Sequence, residues 1–142
     1  MNGDVRAVII GMGTINALGL DVESTWHNLL AGKSGVRTFE PFDVSQFPTQ
    51  IAAKVHDFDP ADFMSPKEAA LMDRSVQFAV VSTAQALDQG KLMIDGEIAD
   101  DVSVIFDTGT GGLRTIDEGY RVMEERGPRQ VSPLQLLWLR RP

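Results

Sequence analysis

Apolar and polar positions along this chain follow two periods. Val5 to Ile10 form a short apolar, β-branched run ending at Gly11, and the pattern predicts a buried strand. Val102–Phe106 predicts a second buried strand of the same kind. Between them the pattern turns helical. Asp21 is placed to cap a helix over Val22–Ala31, whose apolar face carries Val22, Trp26, Leu29 and Leu30, with Gly32 closing it. Gln50–Val55 predicts a short strand, and Asp59-Pro60 pairs a helix cap with proline at the first helical position. Asp73 to Gln89 predicts a long helix, since Val76, Val80, Ala84 and Leu87 recur every three or four residues and Gly90 supplies a stop. After the second strand, "DTGTGG" turns into a helix with Leu113, Ile116, Tyr120 and Met123 on one face, ended by Gly127-Pro128. Strand and helix signals alternate, so the predicted class is α/β. No repeat or low-complexity linker divides the chain, and its length suits one modest domain.

Several glycine-rich stretches invite a phosphate, and none meets the physical requirement. A dinucleotide fingerprint needs G-x-G-x-x-G opening a helix, with the pyrophosphate on that helix's N-terminus. In "VIIGMGTINALG" the spacing gives Gly11, Gly13 and then Asn16, and the next helix opens at Asp21, whose carboxylate repels a phosphate. Gly11 and Gly13 read instead as a tight turn leaving a buried strand. "AGKSG" contains Gly-Lys-Ser, but His27 stands where a phosphate loop has its first glycine, and the segment follows a helix. It reads as a helix stop. "DFDPADF" offers Asp57, Asp59 and Asp62, with Asp62 where a calcium loop needs glycine, so it reads as a capping turn. In "DTGTGG" the carboxylate of Asp107 opposes an anion, and Gly109, Gly111 and Gly112 read as residues for close backbone approach or positive φ.

Composition removes further classes. The net charge is −7 and no basic block stands out, which disfavours nucleic acid. There is no cysteine, hence no disulfide frame, thiolate metal site or thiol nucleophile. No cofactor or metal site is expected. The N-terminus lacks a signal-like pattern and no apolar run approaches the ~20 residues that span a bilayer, so a cytoplasmic protein without membrane partners is expected. The two histidines, His27 and His56, have no nucleophile at a recognisable spacing and read as helix-face and surface residues. The pairs Asp117-Glu118 and Glu124-Glu125 read as a solvated helix face.

The order of three segments goes further. "DVESTWHNLLAGKSGV", then "FMSPKEAALMDRSVQF", then "TGTGGLRTIDEG" resembles the start of the β-ketoacyl-acyl-carrier-protein synthases, the elongating branch of type II. The likeness runs from Val8 to Pro133. It implies a thiolase-like fold of layered α-β-α-β-α order, with two related halves per subunit, working as a homodimer. Only part of the N-terminal half is present. It also implies condensation of an acyl chain, held on the enzyme's own cysteine, with malonyl carried by acyl carrier protein. Two histidines there stabilise the developing charges.

By the same resemblance, Thr110, the middle of the "GTG" turn, lines the acyl pocket, and Lys67 belongs to a basic patch that docks the carrier protein. Ala70 and Leu71 stand where that patch often has basic residues, so weaker docking is expected. Asp107 stands where a small residue is usual. The ending "LQLLWLRRP" does not resemble the family. The expected organisation is therefore a partial synthase domain over 1–133 and a non-family tail over 134–142. The nucleophile and both catalytic histidines are expected beyond Pro142, leaving this chain inactive and poorly soluble alone. Three readings follow: an N-terminal synthase fragment, a non-catalytic partner subunit of a synthase, and an unrelated α/β module that binds a small ligand through its glycine turns. The resemblance favours the first.

Overall fold

A computed structural model describes residues 6–132. They divide into two compact units, one built from 6–59 and 78–103 and the other from 60–77 and 104–132.

In the first unit, α1 (Val22–Leu30) forms where the pattern places it. Asp21 caps it by accepting from the Ser24 N–H at 2.6 Å, and that bond, joined by the Ser24 hydroxyl, holds the Asp21 carboxyl below its ordinary value. The exit is a Schellman turn. Gly32, at φ +66, donates to Leu29, and Lys33 donates to Asn28. Two three-residue strands follow, β1 (Val36–Thr38) and β2 (Ile51–Ala53), antiparallel with Arg37 opposite Ala52. The pattern announced β2 but not β1, whose three residues are too few to show a period. The loop between them is gathered by edge-on rings, Phe39 on Phe42 at 5.0 Å and Phe42 on Phe47 at 6.1 Å.

The long helix α3 (Arg74–Gly90) is as predicted, except at its end. Gly90 stays helical, and the left-handed residue is Lys91, at φ +51. Lys91 donates to Asp88 and Leu92 to Leu87, the same Schellman geometry as at α1. Gly90 serves close approach instead, since a Cβ there would lie 3.0 Å from the Ile10 carbonyl oxygen. The apolar centre of this unit is Val81, 4% exposed, and Phe58, 6% exposed, whose ring stands edge-on to Phe78 at 5.0 Å.

In the second unit, Pro60, following Asp59, opens a single 3-10 turn, Pro60–Asp62, and not the expected helix. The helix comes later as α2 (Pro66–Ala70), with a full capping box between Ser65 and Glu68 and proline at its first position. The last helix, α4 (Leu113–Arg126), has the predicted limits, with Gly112 at φ +80 before it and Gly127 at φ +84 after it. Its expected apolar face is not a core face. Leu113, Tyr120 and Met123 are exposed, and the buried position is Gly119.

Neither predicted buried strand forms. Residues 6–10 and 102–106 belong to no ladder, with Ile9 83% and Ile105 89% exposed; Val5 lies outside the described residues. The run of β-branched residues is a signal for burial between neighbours. A strand also needs backbone partners, and among the described residues none is offered to either run. The tail predicted for 134–142 lies outside the described residues.

Candidate functional site

The opening glycines lie against α3. A Cβ on Gly11 would land on the Ala86 carbonyl oxygen, and one on Gly13 on that of Ser82. Between these contacts Met12 N–H donates to Gln89 Oε1 at 2.7 Å and Thr14 N–H to Gln85 Oε1 at 3.0 Å. Gln85 also donates from Nε2 to the Leu20 carbonyl. The two amide side chains thus replace strand neighbours for alternate residues of the N-terminal segment. Neither glutamine stands out in the sequence. The one signal is an i, i+4 amide pair on an otherwise amphipathic helix.

In the second unit, an open cavity of about 630 Å³ is lined by residues of α2, the start of α3 and the start of α4, among them Asp73, Gln77, Arg114 and Thr115. Asp73 Oδ1 accepts from the Ser75 N–H at 3.1 Å and from its hydroxyl at 3.0 Å, while Oδ2 accepts from the Thr115 hydroxyl at 2.8 Å. Burial pushes the Asp73 carboxyl up; the bonds from Thr115 and Ser75 outweigh it and hold the group below its ordinary value. Gln77, 8% exposed, donates from its amide nitrogen to the Ala69 and Met72 carbonyls. Its Oε1 is buried without a partner.

The residues singled out from the resemblance are exposed. Thr110 stands at the tip of the turn before α4, and Lys67 on α2. Within that turn Gly112 has the positive φ its position suggested, and a Cβ on Gly111 would come 2.6 Å from Thr108 Cγ2. Gly109 differs from expectation, having neither a positive φ nor a neighbour within 4 Å of an added Cβ. Asp107 is exposed and accepts from the Thr108 N–H at 2.7 Å, so its carboxylate carries no burial penalty. His27 lies exposed on α1 as expected. His56 does not lie free on the surface. It is half-buried beside Lys54 and Glu40 in a smaller groove, with Nε2 enclosed and unpartnered. Among the described residues no three metal-ligating side chains gather.

This is the local architecture of an α/β protein whose glycines serve backbone packing and a helix-opening turn. The profile of the family "Beta-ketoacyl synthase, N-terminal domain" matches residues 5–137, and the chain belongs to that family. A 3-oxoacyl-[acyl-carrier-protein] synthase 2 of Vibrio harveyi is 43% identical over 128 residues, 90% of this chain and 31% of that protein. One from Coxiella burnetii is 44% identical over the same share, and one from Staphylococcus aureus is 34% identical over 94% of this chain. Among solved structures, the ishigamide ketosynthase/chain length factor aligns with 91% of this chain and 32% of its own, at TM-score 0.70 and 27% identity. The fold is therefore thiolase-like. The chain spans about a third of the length of these curated relatives. No helix among the described residues is long and apolar enough to cross a membrane.

Proposed function

We propose that this chain is the N-terminal part of a cytoplasmic condensing enzyme that joins an acyl thioester to malonyl-acyl carrier protein, working as a homodimer. The observation that carries this reading is the family match over residues 5–137, which includes the left-handed Gly112 opening α4. In the reading, the turn before α4 presents Thr110 to the acyl chain, and Thr110's size tunes the chain length admitted. Lys67, exposed on α2, meets the acidic carrier protein. Ala70 and Leu71 add no charge there, so docking is weak and sensitive to salt. The 142 residues contain no cysteine, and neither histidine is paired for catalysis, so this chain alone forms no acyl-enzyme.

A titration of ¹⁵N-labelled acyl carrier protein with the chain tests the docking half. Shifts confined to the acidic face of the carrier, lost at high salt and weakened about threefold or more by Lys67→Glu, are expected. Binding indifferent to that substitution would remove Lys67 from the reading. Incubation with a radiolabelled acyl thioester tests the chemistry: no covalent label is expected, and a labelled chain would overturn the claim that it cannot be acylated alone.

A further inference from the structure

We propose that Asp73 is a positioning residue for the Thr108–Gly112 turn, capping α3 with one carboxylate oxygen and anchoring the first turn of α4 through the Thr115 hydroxyl with the other. The inference rests on the reading of Thr110 above for its functional meaning; its geometry does not.

Each helix needs acceptors for the N–H groups of its first turn. At α3 the acceptor is local. Asp73 immediately precedes Arg74, its backbone carbonyl takes the Gln77 N–H at 3.0 Å, and Oδ1 takes the Ser75 N–H. At α4 the local acceptor is missing. The capping position is Gly112, which has no side chain to offer, and it makes no side-chain cap bond. Its φ of +80 selects glycine there, so the same residue that allows the turn also deprives the helix of a cap. The second oxygen of Asp73 reaches this first turn from 42 residues away and ties it down through a side chain. Oδ2 receives the hydroxyl of Thr115, the third residue of α4. This puts a carboxylate, favoured by the helix dipole, against the first turn of α4. The Thr115 backbone N–H also helps to hold the Asp73 carboxyl ionised.

The turn itself has little else to fix it. It is exposed around Thr110, Gly109 touches nothing on its Cβ side, and the contacts within it are local: Asp107 to the Thr108 N–H, and Gly111 against the Thr108 side chain. Thr110 is two residues from Gly112. Its placement is inherited from the start of α4, and the start of α4 is held by Thr115 on Asp73.

The test uses the full 142-residue chain labelled with ¹⁵N. Thr115→Val removes the hydroxyl with little change of shape. Thr115→Ser keeps it. Asp73→Ser retains a good cap for α3 but lacks the second oxygen. The readouts are the ¹H–¹⁵N heteronuclear NOE at Thr110, Gly111 and Gly112, and the exchange rate of the Ile116 amide, which bonds the Gly112 carbonyl at 2.9 Å. Thr115→Val and Asp73→Ser are expected to lower the NOE at the turn and to speed Ile116 exchange at least about fivefold. Thr115→Ser should match the parent, and the Phe39 amide beside β1 and β2 should be unchanged in all three. The proposal falls if the turn keeps its order in Thr115→Val, if serine fails to rescue it, or if Phe39 exchange accelerates by the same factor. Because these signals report the turn directly, they stand apart from whether Thr110 meets an acyl chain, which the carrier and thioester experiments address.

Discussion

Gly13 shows what a single methyl does at the residue scale. Its Cα faces the Ser82 carbonyl so closely that any side chain must push the N-terminal segment off α3. Gly13→Ala is expected to cost about 1–3 kcal/mol through overpacking and to weaken the Thr14–Gln85 and Met12–Gln89 hydrogen bonds. Gly96→Ala is the control, since nothing lies within 4 Å of its added Cβ and its φ is ordinary; it should change stability by less than about 0.5 kcal/mol. Urea titration followed by circular dichroism at the helix band measures both, and equal effects would show that the α3 contact is not what selects glycine at position 13. The "GMG" stretch reads in the sequence as a tight turn leaving a strand, and the structure instead packs it on α3. Close approach to a helix about 70 residues away leaves no mark on local spacing.

Elements whose rules are local were read well. The limits of α1 and α4 follow from Asp21, Gly32, Gly112 and Gly127, residues that act on their own neighbours. The strands were misread because burial and pairing are set by distant chain: the pattern of Val102–Phe106 is that of a buried strand, yet it finds no ladder among the described residues. Thr110 and Lys67 were singled out by a motif, and the structure shows both exposed; the Asp73–Thr115 contact joins residues 42 apart and left no mark on local spacing. The exit of α3 was missed by one residue because lysine occupies a conformation that normally selects glycine. That misplacement yields a prediction. Lys91 holds φ +51, which costs an L-residue about 1–2 kcal/mol, partly offset in glycine by its greater freedom when unfolded. Lys91→Gly is therefore expected to stabilise the helix end by about 0.5–1 kcal/mol, read as slower exchange of the Leu92 amide, which donates to Leu87. Faster exchange would mean that the lysine side chain contributes more than its backbone strain removes.

At the scale of the whole molecule, the family relation and the exposure pattern bear on the same property. The chain spans about a third of its relatives' length, and it presents two β-branched runs, Val8–Ile10 and Val104–Phe106, with open backbone. Such runs recruit further strands, so concentration-dependent self-association is expected. Placing a charge in each run, Ile9→Lys with Ile105→Lys, should reduce light scattering at equal concentration by about half or more. Unchanged scattering would locate the association elsewhere, for instance on the exposed Trp26, Leu29 and Leu30 of α1. The glutamine pair on α3 adds something that aggregation data alone would hide. Four helical residues advance about 6.0 Å and two extended residues about 6.6 Å. Gln85 and Gln89 therefore act as a ruler with two marks, matched to Thr14 and Met12. A slip of one residue would bring the Met12 side chain against a helix carbonyl and present the wrong N–H groups to both glutamines. The register in which residues 8–10 would meet any partner strand is thus set by a helix.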